Sequence, residues 1–326
     1  MKRLIAEFEK QSFVQMVFPH EKTDWYEYLE EARICFKDII TTITKYQKVL
    51  LVCADIKEAQ KYITSENVVF VEYETNDTWA RDISAITVEE SEKRFLYDFT
   101  FNAWGGKFES SLDNTMSKVI QKVYQCEIQT ISFILEGGAI ESNGKGVLLT
   151  TAECMLNPNR NSLAESEITQ KLKEIFGLKK VLYLRNGYLA GDDTDSHIDT
   201  LARFVDHKTI MYVRCKDKND EHYQALYAME KELEYIAQEN GFDLIALPFC
   251  DPIYYQGERL PATYANFLII NGAVLVPTYG VKQDKEALEV FERFFHDRDV
   301  IGVDCSVLIR QHGSLHCVTM QFHCVN

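Results

Sequence analysis

Short, nearly continuous apolar runs recur along the whole chain, and they constrain its fold more than any other feature. Examples are Lys48–Cys53, Val68–Glu72, Gly146–Thr150, Lys180–Leu184 and Thr209–Val213, then Phe242–Leu247, Asn266–Ile270, Ala273–Val276 and Ser306–Ile309. Runs of this kind fit strands covered on both faces, where alternation with polar residues is not required. Between them, Asp24–Lys37, Ser111–Tyr124, Ser162–Phe176, His222–Glu239 and Lys282–Arg293 carry apolar residues at helical spacing. The chain is therefore expected to be mixed α/β. Simple strand–helix alternation is not kept, because strand pairs sit back to back around short turns; Asn271-Gly272 is such a hairpin signal. Recurring strand–strand–helix units point to a repeat architecture whose period the letters alone do not fix. No Pro/Gly/Ser linker or composition shift divides the chain, so one compact unit is expected over residues 1–326.

At 326 residues the chain is long enough to bury a sizeable core without a disulfide or metal staple. With 35 Lys and Arg against 50 Asp and Glu, the net charge is 35 − 50 = −15, which disfavours a nucleic-acid partner and suits a cationic ligand. Charges interrupt Met1–Lys10 before a signal-type apolar stretch forms, and the apolar stretch near Phe267–Val276 is too short to span a bilayer. The cysteines are scattered, odd in number and free of Cys-x-x-Cys spacing, as expected of reduced thiols in a cytoplasm.

Several motifs are missing. There is no phosphate-binding Gly-x-x-x-x-Gly-Lys-Ser/Thr loop and no Gly-x-Ser-x-Gly elbow, and Gly144-Lys145-Gly146 runs into a strand. Asp192–Asp195 lacks the Gly and Glu of a calcium loop. No metal is expected at the His312, His316, Cys317, His323, Cys324 cluster, because in extended chain Cys317 and His323 would lie ~20 Å apart.

Three segments stand out chemically. Thr75-Asn-Asp-Thr-Trp-Ala-Arg-Asp82 crowds polar residues around a Trp after a β-run. In Gly191-Asp-Asp-Thr-Asp-Ser-His-Ile-Asp199, His197 and Asp199 are two apart and would face the same way in extended backbone; a His beside carboxylates suits a proton shuttle. Gly313-Ser-Leu-His-Cys317 presents a thiol just past a Gly-containing turn, where it could act as a nucleophile. The plain alternatives are a buried inert Cys, a structural His, an Asp82–Arg81 surface ion pair, and Trp25, Trp79 and Trp104 as core.

Taken in order, Thr75–Asp82, Phe101-Asn-Ala-Trp-Gly-Gly-Lys107, Leu135-Glu-Gly-Gly138, Asp193–Asp199, Glu258–Asn266, Ile270–Pro277 and His316-Cys317 resemble the agmatine deiminase, or Porphyromonas-type peptidylarginine deiminase, family of the guanidino-group modifying superfamily. The resemblance implies a five-bladed α/β propeller (pentein) of repeated strand–strand–helix units, hydrolysis of agmatine to N-carbamoylputrescine and ammonia in putrescine biosynthesis, and no cofactor. It implies Cys317 as nucleophile, His197 as general acid/base, Asp82 and Asp199 as the guanidinium-gripping carboxylates, and Glu136 as support for the histidine. Trp79 is implied as a wall for the aliphatic chain, with Asp193 and Asn266 as secondary substrate contacts. A homodimer is a family-level expectation. Deimination of free or peptidyl arginine, or noncatalytic polyamine binding, are the competing readings. Two departures adjoin the site: His312-Gly-Ser-Leu-His-Cys317 stands where many relatives have Gly-Gly-Asn-Ile-His-Cys, and Ser84-Ala85 where they often have Gly-Pro.

Overall fold

A computed structural model describes residues 2–324; Met1, Val325 and Asn326 of the expected 1–326 unit lie outside the described residues. Among the described residues there are six sheets, and five share one wiring, an antiparallel pair followed by a parallel one. Ile86–Glu90 pairs antiparallel with Lys93–Thr100, which runs parallel to Glu127–Ile134. The same pattern joins Glu141–Ser142, Val147–Thr151 and Lys180–Leu184. It recurs in Ala202–Phe204, Thr209–Arg214 and Asp243–Pro248, and in Leu268–Ile270, Ala273–Thr278 and Asp299–Asp304. The fifth sheet joins the chain ends: Met320–Phe322 pairs antiparallel with Phe13–Val17, followed by the parallel strands Lys48–Cys53 and Val68–Glu72.

Each parallel step needs a crossover, and in each repeat a helix supplies it: Leu29–Ile43, Asp113–Val119, Glu165–Phe176, Tyr223–Asn240 and Gln283–Phe294; the additional step from Lys48–Cys53 to Val68–Glu72 is crossed by the single turn Ile56–Ala59. They bury one stripe each, such as Leu226, Met229 and Leu233 of the fourth. Two of them end on a glycine in the left-handed region, Gly177 and Gly241, which lets the chain turn back into the next strand. The Asn271-Gly272 hairpin forms as expected, with Ile270 opposite Ala273.

One expected strand is not one. Ser306–Ile309 turns into a short 3-10 helix over Leu308–Gln311, and the strand of that region is Asp299–Asp304. A brief apolar run reads alike for a strand and for a buried helical turn, and here Leu308 and Ile309 fill the core from the latter. No helix among the described residues is long and apolar enough to cross a membrane.

The wiring has a consequence for chemistry. The segment entering the first strand of every repeat carries one of the singled-out polar residues: Asp82 before Ile86, Glu136 before Glu141, His197 and Asp199 before Ala202, Asn266 before Leu268, and Cys317 before Met320. Residues far apart in sequence thereby occupy one equivalent position in five repeats.

Candidate active site

These entry segments converge around Gly138. A Cβ there would lie 2.6 Å from His197 Nδ1, 3.0 Å from Asp82 Oδ1 and 3.1 Å from Asp199 Oδ2, so only glycine fits between the three side chains. Asp82 is anchored on both oxygens: Gly138 N–H donates to Oδ1 at 2.8 Å and Trp104 Nε1–H to Oδ2 at 2.9 Å. His197 Nδ1 is 3.8 Å from Asp82 Oδ2, and its Nε2 is 4.0 Å from Glu136 Oε2. His197 and Asp199 do not share an extended strand, as their spacing suggested. Asp199 sits in the one-turn 3-10 helix Ile198–Thr200, yet both side chains still reach the same centre.

Cys317 is held by Asn266, whose Oδ1 accepts from His316 N–H at 2.9 Å and Cys317 N–H at 3.3 Å and lies 3.4 Å from Cys317 Sγ. The sulfur is 4.0 Å from Asp199 Oδ2. Asp199 Oδ1 and His197 Nε2 are buried without a hydrogen-bond partner. Unpaired buried polar atoms are costly, and they are common where a ligand completes the set.

Cys317, Asp82, Trp79 and Asp193 line a cavity of about 500 Å³ rich in acids, including Asp77, Glu109, Asp113 and Asp192. The lysine in this lining, Lys22, is held 2.8 Å from Glu74. Trp79 is clamped by its Nε1–H donating to Asp77 Oδ2 at 3.0 Å and by Gly313, where a Cβ would lie 2.2 Å from the indole. Asp193 lies toward the mouth, 3.9 Å from His312 Nδ1. His312 adopts φ +64°, a left-handed conformation that glycine tolerates more readily, and hydrogen-bonds Gly191 O at 2.6 Å. The other departure is also accommodated: Ala85 N–H donates to Ser117 Oγ at 3.0 Å, a bond that a proline would lack. Trp25 is core as expected, whereas Trp79 and Trp104 are buried but face the cavity. Arg81 makes no pair with Asp82; it turns away to Gln321 and Glu7.

The electrostatics separate the groups. Burial pushes the Cys317 thiol well above its usual pKa, and the nearby Asp199 and Asp82 carboxylates add to this. Burial alone would lower His197, but Asp82, Cys154 and Glu136 raise it well above an ordinary histidine. Burial raises Asp82, and His197 offsets part of that. Asp199 is lowered despite its burial, chiefly because of its hydrogen bond with His316.

Glu136, Cys154 and His197 bring potential ligand atoms within 4.8 Å of one another. Arg160 Nε–H donates to Glu136 Oε1 at 3.0 Å and sets a permanent cation against that cluster. Burial also holds Cys154 as the thiol. The donor set thus fits an imidazolium between acids better than a divalent ion. Trp104, Gly138, Cys154, Arg160 and His316 were not assigned roles from the sequence. Trp104, Gly138 and His316 lay within the recognised motifs, which was the available signal.

The chain is 31% identical over 354 residues to agmatine deiminase of Medicago truncatula, covering 97% of this chain and 95% of that one. It is 30% identical over 352 residues to agmatine deiminase of Pseudomonas aeruginosa strain LESB58, covering 98% and 95%. The structure superposes on a Cys-to-Ser variant of C. jejuni agmatine deiminase with substrate bound at TM-score 0.94 and 46% identity, over 99% of this chain and 96% of that one. The mixed α/β fold alone extends to DDAH of Pseudomonas aeruginosa, at TM-score 0.53, 14% identity and coverage of 96% and 100%. The profile of Porphyromonas-type peptidyl-arginine deiminases matches residues 3–322, which takes in every entry segment of the cavity, and the chain belongs to that family.

Proposed function

We propose that this protein is a deiminase that hydrolyses agmatine to N-carbamoylputrescine and ammonia, in putrescine biosynthesis. The observation that carries this reading is a thiol and a buried carboxylate, Cys317 and Asp82, lining an acid-rich cavity, with a second buried carboxylate, Asp199, 4.0 Å from the sulfur and its Oδ1 left without a partner.

A guanidinium is planar and permanently cationic, and paired carboxylates suit its N–H edges. Asp82 and Asp199 grip it and hold its carbon beside Cys317. The Cys317 thiolate attacks that carbon to give a tetrahedral adduct. His197 donates its proton to the departing nitrogen, and ammonia leaves an amidino-thioether on Cys317. Water, deprotonated by His197, adds to the same carbon. The C–S bond breaks and returns the thiolate, and the ureido product leaves. Glu136 supports His197, Asn266 holds the thiol, and Trp79 walls the methylene chain. Asp193 takes the ammonium end, and its charge would repel the carboxylate of free arginine.

The high pKa of the free thiol gives the substrate a second task. A bound guanidinium places positive charge against the sulfur and favours the thiolate. Iodoacetamide labelling of Cys317 followed against pH should therefore move to lower pH when a nonreacting guanidine is bound at partial saturation. An unchanged or higher apparent pKa would contradict this. Gly138→Ala is expected to lower kcat/KM about 100-fold, since a displacement near 1 Å in a reacting constellation costs on that order. Steady-state assays paired with thermal melting check that the loss exceeds any change in folding.

The same support extends to the architecture. Five sheets of one wiring, with the C-terminal strand closing onto the N-terminal sheet, favour a single five-bladed propeller over residues 1–326. A cytoplasmic homodimer that uses no cofactor completes the reading, and sedimentation of the purified chain tests its assembly. Ammonia release on agmatine, free arginine and an arginine peptide tests the function. Agmatine should be strongly preferred; preference for the peptide would favour the competing deiminase reading, and no release on any would leave a polyamine binder.

A further inference from the structure

Behind Asp199 runs a chain of buried charges that the reaction above does not use. His316 bridges two carboxylates, its Nδ1 hydrogen-bonded with Asp199 Oδ2 at 2.7 Å and its Nε2 with Glu7 Oε2, also at 2.7 Å. The same Glu7 oxygen lies 2.9 Å from Arg203 Nη2 and 3.3 Å from Arg81 Nη2. Glu7 Oε1 accepts from Ile269 N–H at 2.8 Å. The side chains of Asp199, His316, Glu7, Arg81 and Arg203 are each at most 5% exposed. Glu7 and His316 are 309 residues apart in sequence. Such a chain of charges is expensive to bury unless every member is paired.

The site contrasts two carboxylates. Burial raises Asp82, whose own histidine neighbour, His197, stands 3.8 Å away, whereas Asp199, in direct hydrogen bond with His316, is lowered despite equal burial; Glu7 is held well below the carboxylate range against its own burial by Arg203, His316 and Arg81. Asp199 therefore has one oxygen locked by His316 and the other free and unpartnered.

We propose that His316 and Glu7 are positioning residues that act through Asp199: His316 fixes the rotation and charge of the carboxylate so that Oδ1 faces the bound guanidinium, and Glu7 fixes the His316 ring. This rests on the reading of the cavity as a guanidinium site. The groups facing Asp199 are His316, His197, Arg203, Arg81, Asp82 and Cys317. Those facing Glu7 are Arg203, His316, Arg81, Glu141 and His323.

The test is agmatine binding by calorimetry in a Cys317→Ser background between pH 5 and 9. His316→Leu should weaken binding about 10- to 100-fold, the scale of a lost charge-assisted hydrogen bond. It should also move the acidic limb of binding to higher pH, because Asp199 loses the partner that lowers it. His316→Asn, whose amide N–H can stand where Nδ1–H stood, should recover most of the affinity. Glu7→Gln should weaken binding in the His316 protein and add nothing to His316→Asn, whose side chain no longer reaches position 7. Full affinity and an unmoved acidic limb in His316→Leu, or an equal Glu7→Gln effect in both backgrounds, overturns the proposal. If His316→Leu does not fold, the Glu7→Gln and His316→Asn pair decides it by the same criterion. If the Cys317→Ser parent itself binds no agmatine, the functional reading fails and the relay falls with it; a parent that binds beside unaffected variants sinks the relay alone.

Discussion

Cys317→Ala is expected to reduce ammonia release from agmatine by about 10⁴-fold or more, the scale on which covalent catalysts lose rate with their nucleophile. The reason is specific to the site. Carbon flanked by three nitrogens is a poor electrophile, and His197 has nothing to protonate until a nucleophile has added. Binding should survive, because the proposed grip belongs to Asp82 and Asp199. The variant should therefore retain micromolar-to-millimolar affinity for agmatine by calorimetry while single-turnover assays show no product. Replacement of Cys35, Cys53 or Cys250 should have no such consequence: they are buried thiols that burial pushes up and they do not line the cavity.

His197→Gln is expected to lower kcat about 10²- to 10⁴-fold, the usual contribution of a positioned acid or base. It should also alter the pH profile. Burial disfavours the imidazolium, but Asp82 and the neighbouring cluster hold the folded-state pKa well above that of a free histidine. The acid form thus persists past neutral pH and is lost as pH rises through that raised value. In the parent, rate should fall on the alkaline side for this reason, and the glutamine variant should lose that limb. An alkaline limb unchanged in the variant would assign it to another group.

Much of the fold was legible because the middle strands are buried on both faces and read as apolar runs; Val49–Val52 and Val274–Val276 are almost wholly inaccessible, whereas outer strands such as Lys180–Leu184 are only partly covered. The first strand of each repeat is harder to see. Glu141–Ser142 has two residues and Ala202–Phe204 three, too few for any periodicity. Arg203 even breaks the apolar pattern while fully buried, since its partners Glu141 and Glu7 arrive from distant segments. The Ser306–Ile309 error has the opposite cause, an apolar run without the pairing that makes a strand.

The site divides along similar lines. Cys317, His197, Asp199, Asp82, Glu136 and Asn266 lie in short motifs recognisable in order, and the structure gathers them around Gly138 and Asn266. Trp79 and Asp193 line the cavity farther out. Glu7 and Arg160 lie outside any motif. Their importance arises from tertiary contacts with His316 and Glu136 that no local spacing encodes.

Turnover as proposed requires a covalent bond between Cys317 and the guanidine carbon. Rapid acid quenching of the enzyme during turnover of isotopically labelled agmatine, followed by peptide mass spectrometry, tests it most directly. The peptide containing Cys317 should carry a labelled amidine fragment within the first turnover, and none of the other eight cysteine positions should. Sustained ammonia release with Cys317 unmodified at every quench time, or with the label on a different cysteine, would contradict it.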